Sequence, residues 1–470
     1  MTSADRDLTA PGGGLCRLPA RVLARRLRQG ELTATEVLDA HLERIGEHNP
    51  ALTAVVSLDP DRARDQARAA DAALRRGGPL GPLHGLPMTL KDGHDVAGMR
   101  TTVGTAVLDR IAERDGTVAA RLRAAGAIIV GHTNVAPWLA DYQSANPIFG
   151  RTANPWDPGR TAGGSSGGAA AALATGMTPL EVGSDLAGSL RLPPHFCGVY
   201  GLKTTEHRVP LTGFFQPPQG VPRSVRVLSC LGPMARDLAD LRLGLAVLAG
   251  PDWQDGDVPP VPLVPPRRRP LRDLRLAALP VLPGTRVAAG VRRQVERVAA
   301  QASDAGARVS ERLPDVDWDA MNRLFGDLLT VTTGLFDPDA DPRDERRALA
   351  WYLGALERRD GFVAAWQRYF EDVDALVLPP AMTTAFTHRD PGTPVDVDGE
   401  PAGYGEQGLL AVFANLAGLP ALVAPAGLDG DGLPAGVQLV GPRWSELDLL
   451  HVARTLERAG ILPGFRPPEA

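Results

Sequence analysis

The stretch TAGGSSGGAAAALATGMTPLEVGSDLAGSLR, Thr161 to Arg191, decides how the rest of the chain is read. Two Gly/Ser clusters, Gly163 to Gly168 and Gly183 to Ser189, flank an alanine-rich segment and an apolar run, Met177 to Val182. The chain has 12 serines, and four of them (Ser165, Ser166, Ser184, Ser189) fall within the 25 residues from Ser165 to Ser189. Glycine lets the backbone approach a ligand closely, and successive N–H groups in such a turn form an anion-binding concavity. Ala169 to Ala174 is a strong helix former directly behind GGSSGG, so the first cluster is expected at a helix N-terminus, where orphan N–H groups favour negative charge. An oxyanion or a phosphate suits such a place, but the Gly-Lys-Ser/Thr ending of a phosphate loop is absent. A plain glycine turn between buried elements is the third reading.

Outward from this stretch, the lysine count is the next signal. Of 50 basic residues only Lys91 and Lys203 are lysine. Guanidinium stays charged, whereas a buried ammonium can lose its proton, so a surviving lysine points to a task arginine cannot perform. GPLHGLPMTLKDGHD, Gly81 to Asp95, places turns before a short strand, Met88 to Leu90, with Lys91 at its C-terminal end. Strand C-termini are where open α/β sheets hold ligands.

Composition limits the function classes. The 470 residues allow a sizeable core, and 44% hydrophobic with 22% charged residues describes an ordinary globular chain. A net charge of −5 leaves no footprint for nucleic acid or anionic membrane. No run approaches the length of a membrane span, and MTSADRDLTAPGGGL lacks the build of a secretory signal. Cys16, Cys197 and Cys230 fit neither a disulfide framework nor a metal site, so a cytoplasmic setting without metal or cofactor is expected.

Apolar spacing predicts two helices over residues 18–48 and a third over Asp61–Arg75. Helix Val118–Gly126 and strand Ala127–Val130 follow, then a loop whose Trp138, Tyr142, Phe149 and Trp156 are candidates for a pocket wall. A Pro/Gly-rich excursion spans 209–223, and Leu238–Leu248 is a helix. A strand at Leu274–Leu279, a helix at Ala288–Ala305, and strands near Val309 and at Ala375–Leu378 alternate as an α/β fold requires. Two strands around the DGDG turn and a helix over Glu446–Ala459 close the chain. The expected organisation is one large domain over 1–470. It has N-terminal helices over 18–75, a core over 76–250 and a Pro-rich linker or insertion over 251–270. The C-terminal half, 271–470, carries a helical pocket cover near 317–370 with Trp318, Phe325, Phe336, Trp351, Tyr352 and Trp366.

Clustered serines on glycine loops with an isolated lysine suggest acyl transfer by a serine that neutral lysine activates. A rival uses the same residues: Gly164-Ser165-Ser166-Gly167-Gly168 matches the G-x-S-x-G elbow, which makes Ser166 the nucleophile of an α/β-hydrolase-type esterase. That elbow needs a strand immediately before it, and DPGRTAGG is turn material.

LHGLPMTLKD, GGSSGGAAAALATG, GSDLAGSLRLP, GLKTT and NLAGLPALVAPAG…GLPAGVQLVG, in this order over nearly the whole length, resemble the amidase signature family. The resemblance implies a twisted mixed β-sheet covered by helices on both faces. It implies Ser189 as nucleophile, Ser165 on a cis peptide as proton shuttle and Lys91 as base. Backbone N–H groups of Leu186, Ala187, Gly188 and Ser189 supply the oxyanion hole, and Ser166, Asp185 and Arg191 are supporting hydrogen-bond groups, with Arg191 a cation that helps Lys91 stay neutral. Leu186-Ala187 replaces the family's usual Thr-Gly, Thr204 follows Lys203 where proline is usual, and His132 stands where lysine is common. A Cβ at Ala187 tilts the loop if that position needs positive φ. The implied activity is amide hydrolysis on hydrophobic or aryl substrates, with carbamates (urethanes) and esters within reach, by a monomer or homodimer. The glutamine-hydrolysing subunit of a tRNA-dependent amidotransferase is the alternative within the family.

Overall fold

The computed structural model describes residues 14–216, 223–334 and 344–468. The chain start, part of the excursion (217–222) and part of the expected pocket cover (335–343, with Phe336) lie outside the described residues. Two sheets carry the architecture. Val55–Leu58 (β1), Pro87–Lys91 (β2) and Ile128–Thr133 (β3) form a three-stranded sheet in the order β1-β3-β2, with β2 parallel to β3 and β1 antiparallel to it. Leu180–Asp185 (β4), Tyr200–Lys203 (β5), Cys230–Ala235 (β6) and Arg275–Ala278 (β7) belong to the larger sheet. Arg308–Ser310 (β8), Ala375–Leu378 (β9), Ala421–Leu428 (β10) and Pro434–Val440 (β11) complete it, in the order β8-β7-β9-β11-β10-β5-β6-β4. β7 pairs parallel with β8 and β9, and the remaining pairs are antiparallel, so the sheet is mixed.

Both faces of the large sheet are covered. Along β9, Ala375 and Val377 join the core with Val295, Leu241 and Leu449, while Leu376 and Leu378 join Phe325, Trp366 and Phe413 on the other side. This is the two-residue period of a strand buried on both faces, which also explains why β9 reads as an unbroken apolar run.

The N-terminal helices form at Ala20–Gln29 and Ala34–Leu52, the second opened by a capping box in which Thr33 and Glu36 bond reciprocally. All nine residues of helix Gly167–Thr175 are buried. Its alanines leave it apolar on every side, as a helix enclosed by other elements must be. The serine cluster is therefore anchored to the interior.

Residues 251–270 contain neither helix nor strand, yet they are tied down: Arg208 Nη1 donates to the Val261 carbonyl at 2.8 Å and the Arg267 N–H to Asp448 Oδ1 at 2.8 Å. No helix among the described residues is long and apolar enough to cross a membrane.

Candidate active site

Lys91 ends β2, and the chain beyond it is pinned by Asp92, whose buried carboxylate accepts from Thr101 Oγ1 at 2.8 Å and Thr102 N at 3.0 Å. The turn carrying Ser165 is clasped by Ser144, whose hydroxyl lies 3.0 Å from the Gly163 carbonyl and 3.2 Å from that of Ser165 and accepts the Gly167 N–H at 2.9 Å. The Gly164–Ser165 peptide is cis. A Cβ at Gly164 would stand 2.3 Å from the Asp141 carbonyl oxygen, so only glycine fits against the 141–143 backbone. Ser189 lies on the loop between β4 and helix Leu192–Cys197.

These elements bring Lys91, Ser165 and Ser189 into one chain of contacts. Lys91 Nζ is 2.8 Å from Ser165 Oγ and 2.9 Å from Ser184 Oγ. Ser165 Oγ is 3.0 Å from Ser189 Oγ, which also accepts the Ser165 N–H at 3.0 Å. Lys91 is fully buried, whereas Ser189 is half-buried, so the contacts run from the interior to a partly exposed residue. Burial pushes the Lys91 amine down to about 7, against the pull of Asp185 and Glu181 in the other direction. A neutral amine has two N–H bonds and one lone pair. Donating to Ser184 leaves the lone pair for the Ser165 hydroxyl, whose oxygen can then receive the proton of Ser189.

The loop after β4 hangs on Asp185. Its carboxylate accepts from Gly188 N and Leu190 N, both at 2.9 Å, and from Arg191 Nε at 2.9 Å and Nη2 at 2.7 Å. Asn415 Nδ2 adds a bond at 2.9 Å, and Arg191 Nη1 reaches Gln438 Oε1 at 3.0 Å. Burial opposes the charge on Asp185, but the attached guanidinium overrides it and holds the carboxyl well below its usual range.

Several expectations change here. Gly188 does not offer its N–H to an oxyanion, because Asp185 Oδ1 takes it. The N–H groups of Leu186, Ala187 and Ser189 make no hydrogen bond among the described residues. Ser166 is buried beneath the turn, and its Oγ has no hydrogen-bond partner among the described residues. No strand runs into Ser166, which removes the elbow reading and with it the α/β-hydrolase alternative. Arg191 is spent on Asp185, and it is burial that lowers Lys91. Positive φ falls on Gly188 (+113°), not on Ala187, so the alanine fits the loop.

Sequence reading placed Ser184 in the serine cluster without a role, and it missed Glu181, Ser144, Asn415 and Gln438. The one signal for Glu181 was a carboxylate inside the apolar run Met177–Val182. Of the aromatic candidates, Trp366 is fully buried and stacks on Phe413 at 4.8 Å, and Trp156 Nε1 donates to the Cys197 carbonyl at 3.1 Å, so both serve packing. Lys203 is as buried as Lys91, but its amine nitrogen donates to the Leu419 carbonyl at 2.7 Å and the Thr204 carbonyl at 3.2 Å.

The amidase family model matches residues 36–333 and 319–450. The indoleacetamide hydrolase of Bradyrhizobium diazoefficiens is 34% identical, over 96% of this chain and 88% of its own length. A glutamyl-tRNA(Gln) amidotransferase subunit from a Synechococcus species is also 34% identical, over 96% of this chain and 99% of its own length. A chain from a vestigial protein complex bearing on the origins of an s-triazine catabolic enzyme superposes with a TM-score of 0.82 at 29% identity, covering 95% of this chain and 99% of that one. The sheet order, the buried lysine with its chain of serines, and these matches along nearly the whole length have one reading: the protein belongs to the amidase signature family.

Proposed function

We propose that this chain hydrolyses linear amides with hydrophobic or aryl groups through an acyl-enzyme, with Ser189 as nucleophile, Ser165 as shuttle and Lys91 as base. The observation that carries the reading is the unbroken contact chain Lys91–Ser165–Ser189, at 2.8 and 3.0 Å, with Lys91 buried and Ser189 half-buried. Ser189 attacks the carbonyl carbon as its proton passes to Ser165 and that of Ser165 to Lys91. The reverse transfer protonates the leaving nitrogen, and water then releases the acid. Leu186, Ala187 and Ser189 N–H groups stabilise the tetrahedral oxyanion, each donor being worth about 2.7–4 kcal/mol in comparable sites. Asp185 and Arg191 hold that loop.

Substrate preference is read from the partly buried apolar side chains on this side of the fold. Leu186 and Ala187 pack against the same buried core as Val227, Trp318, Leu329, Trp351 and Tyr352, an apolar and aromatic set suited to aryl or alkyl groups. Aryl carbamates and esters present the same carbonyl geometry and belong to the proposed range. The glutaminase reading draws on the amidotransferase relative, but this apolar set favours a stand-alone enzyme acting on small molecules, without nucleic acid or cofactor, as a monomer or homodimer. Three unpaired thiols, Cys16, Cys197 and Cys230, are in keeping with a cytoplasmic setting.

A fluorophosphonate reagent followed by peptide mass spectrometry tests the nucleophile, and a panel of anilides, aryl carbamates and glutamine tests the substrate. The expected result is one adduct, on Ser189, and turnover of anilides above glutamine. An adduct on another serine, or glutamine as sole substrate, overturns the proposal.

A further inference from the structure

Glu181 is wholly buried in β4. Its Oε1 accepts from Thr89 Oγ1 at 2.8 Å and from Thr133 Oγ1 at 3.0 Å, and its Oε2 from the Val182 N–H at 2.9 Å. Both threonines belong to the setting of Lys91. Thr89 precedes it by two residues on the same face of β2, and Thr133 is its register partner across β3. No ion pair to Glu181 occurs among the described residues, in contrast to Asp185, whose charge Arg191 meets directly. A buried carboxylate without a cation is expensive to keep ionised, and a neutral side chain at this position would avoid that penalty.

Titratable groups around this corner come from β2, the turn after it, β3 and β4 itself. Lys91 comes from β2 and His94 from the turn after it. His132 comes from β3, with Nδ1 2.9 Å from the Arg100 carbonyl, and Glu181 and Asp185 come from β4. Burial, with His132 and Lys91 adding to it, holds His94 down to about 3, so it stays neutral at working pH. Asp185 stays ionised and matched by Arg191.

We propose that Glu181 is a positioning residue that acts through Lys91: its carboxyl and the Lys91 amine form an electrostatic couple, and Glu181 sets how firmly Lys91 holds the proton it receives from Ser165. Consistent with this, burial drives the Glu181 carboxyl up to about 7, against the hydrogen bonds from Thr89 and Thr133 and the field of Lys91, into the range to which burial brings Lys91 down. When Lys91 takes up a proton, the carboxylate opposes the penalty of a buried ammonium. When Lys91 is neutral, Glu181 has no cation and takes a proton more readily.

The inference rests on Lys91 being the base proposed above, so its test does not depend on turnover. Only Lys91 and Lys203 are lysine, so protein labelled with [ε-13C]lysine gives two side-chain signals, which Lys91→Met assigns. In the wild type the Lys91 signal is expected to titrate over a broadened, two-step curve, as coupled sites do. In Glu181→Gln its midpoint is expected to fall by about one pH unit, the size of shift that a nearby charge produces, and the acidic limb of kcat/KM to move down with it. His132→Gln is expected to leave the Lys91 curve in place. A single-site wild-type curve, an unmoved midpoint in Glu181→Gln, or displacement by His132→Gln instead each overturns the proposal. The wild-type curve decides even if Glu181→Gln does not fold. An adduct on a serine other than Ser189, by contrast, would overturn the catalytic reading and leave the coupling measurement intact.

Discussion

Arg191 grips Asp185 through two N–H···O bonds of 2.9 and 2.7 Å, with neither side chain exposed to solvent. The pair does more than neutralise charge, because the same carboxylate holds the Gly188 and Leu190 N–H groups and so sets the path of the loop bearing Ser189. Arg191→Met leaves a buried carboxylate uncompensated, and breaking such a pair costs about 3–5 kcal/mol. Asp185→Leu/Arg191→Met is expected to recover much of that stability while kcat stays low, since the loop has lost its anchor. Denaturant melts with parallel kinetics check both halves. A double variant regaining stability and kcat together would mean that the pair is only structural.

The site's local parts were legible in the residues themselves, whereas the assembly of Lys91, Ser165 and Ser189 was reached only through the family resemblance. Lys91 could be placed because an apolar strand flanked by glycine turns ends on it, and the serine clusters because so few serines occur elsewhere. β6 escaped notice: it carries Gly232 and Pro233, and lies between β4 and β5 with every residue buried, so no polar alternation marks it. Pro233 is tolerated there because pairing with β5 is confined to Met234 and Ala235. Asn415 and Gln438 join Asp185 and Arg191 from more than 220 residues away, through sheet order that no local pattern encodes. Gly188's commitment to Asp185 depends on loop geometry alone.

Lys91 links activity to pH. Burial lowers its folded-state value to about 7 from an ordinary 10.5. Below about 7 it is charged and cannot accept a proton, so kcat/KM is expected to fall by about tenfold per pH unit on the acidic side. Stability follows the same shift. Between about 7 and 10.5 the unfolded chain binds the extra proton, so stability rises with pH across that window. Lys91→Met should lose activity by about a thousandfold or more and show a shallower rise in stability. Melts of both proteins at several pH values check this, and parallel curves would show that Lys91 is not neutral in the fold.

Ser184 receives one of the two contacts of the Lys91 amine, at 2.9 Å, and on the proposed mechanism this contact turns the lone pair towards Ser165. Ser184→Ala is expected to lower kcat by about 10 to 100-fold with KM little changed, as expected when an interaction contributes only in the transition state. Ser166→Ala, which removes a hydroxyl without a hydrogen bond among the described residues, should retain far more activity than Ser189→Ala. Steady-state kinetics on one anilide rank the three. Ser166→Ala falling to the level of Ser189→Ala would contradict the assignment of the nucleophile.

Gly188 and Ala187 separate backbone shape from chemistry on the loop. Gly188 sits at φ +113°, and a Cβ there would stand 2.5 Å from Leu192 Cδ1 and 3.3 Å from Ala411 Cβ. Gly188→Ala therefore meets both a conformation L-residues avoid and a packed neighbour, and is expected to displace the Leu186 and Ala187 N–H groups from the oxyanion position. Losing even one such donor corresponds to about 100 to 1,000-fold in kcat. Ala187 carries no such constraint, so Ala187→Gly should keep kcat within a few-fold. Comparing the two variants on an amide and its ester analogue is the check, with the melting temperature of each as control. Equal losses from both would mean that the loop's sequence, and not the φ of Gly188, holds the donors in place.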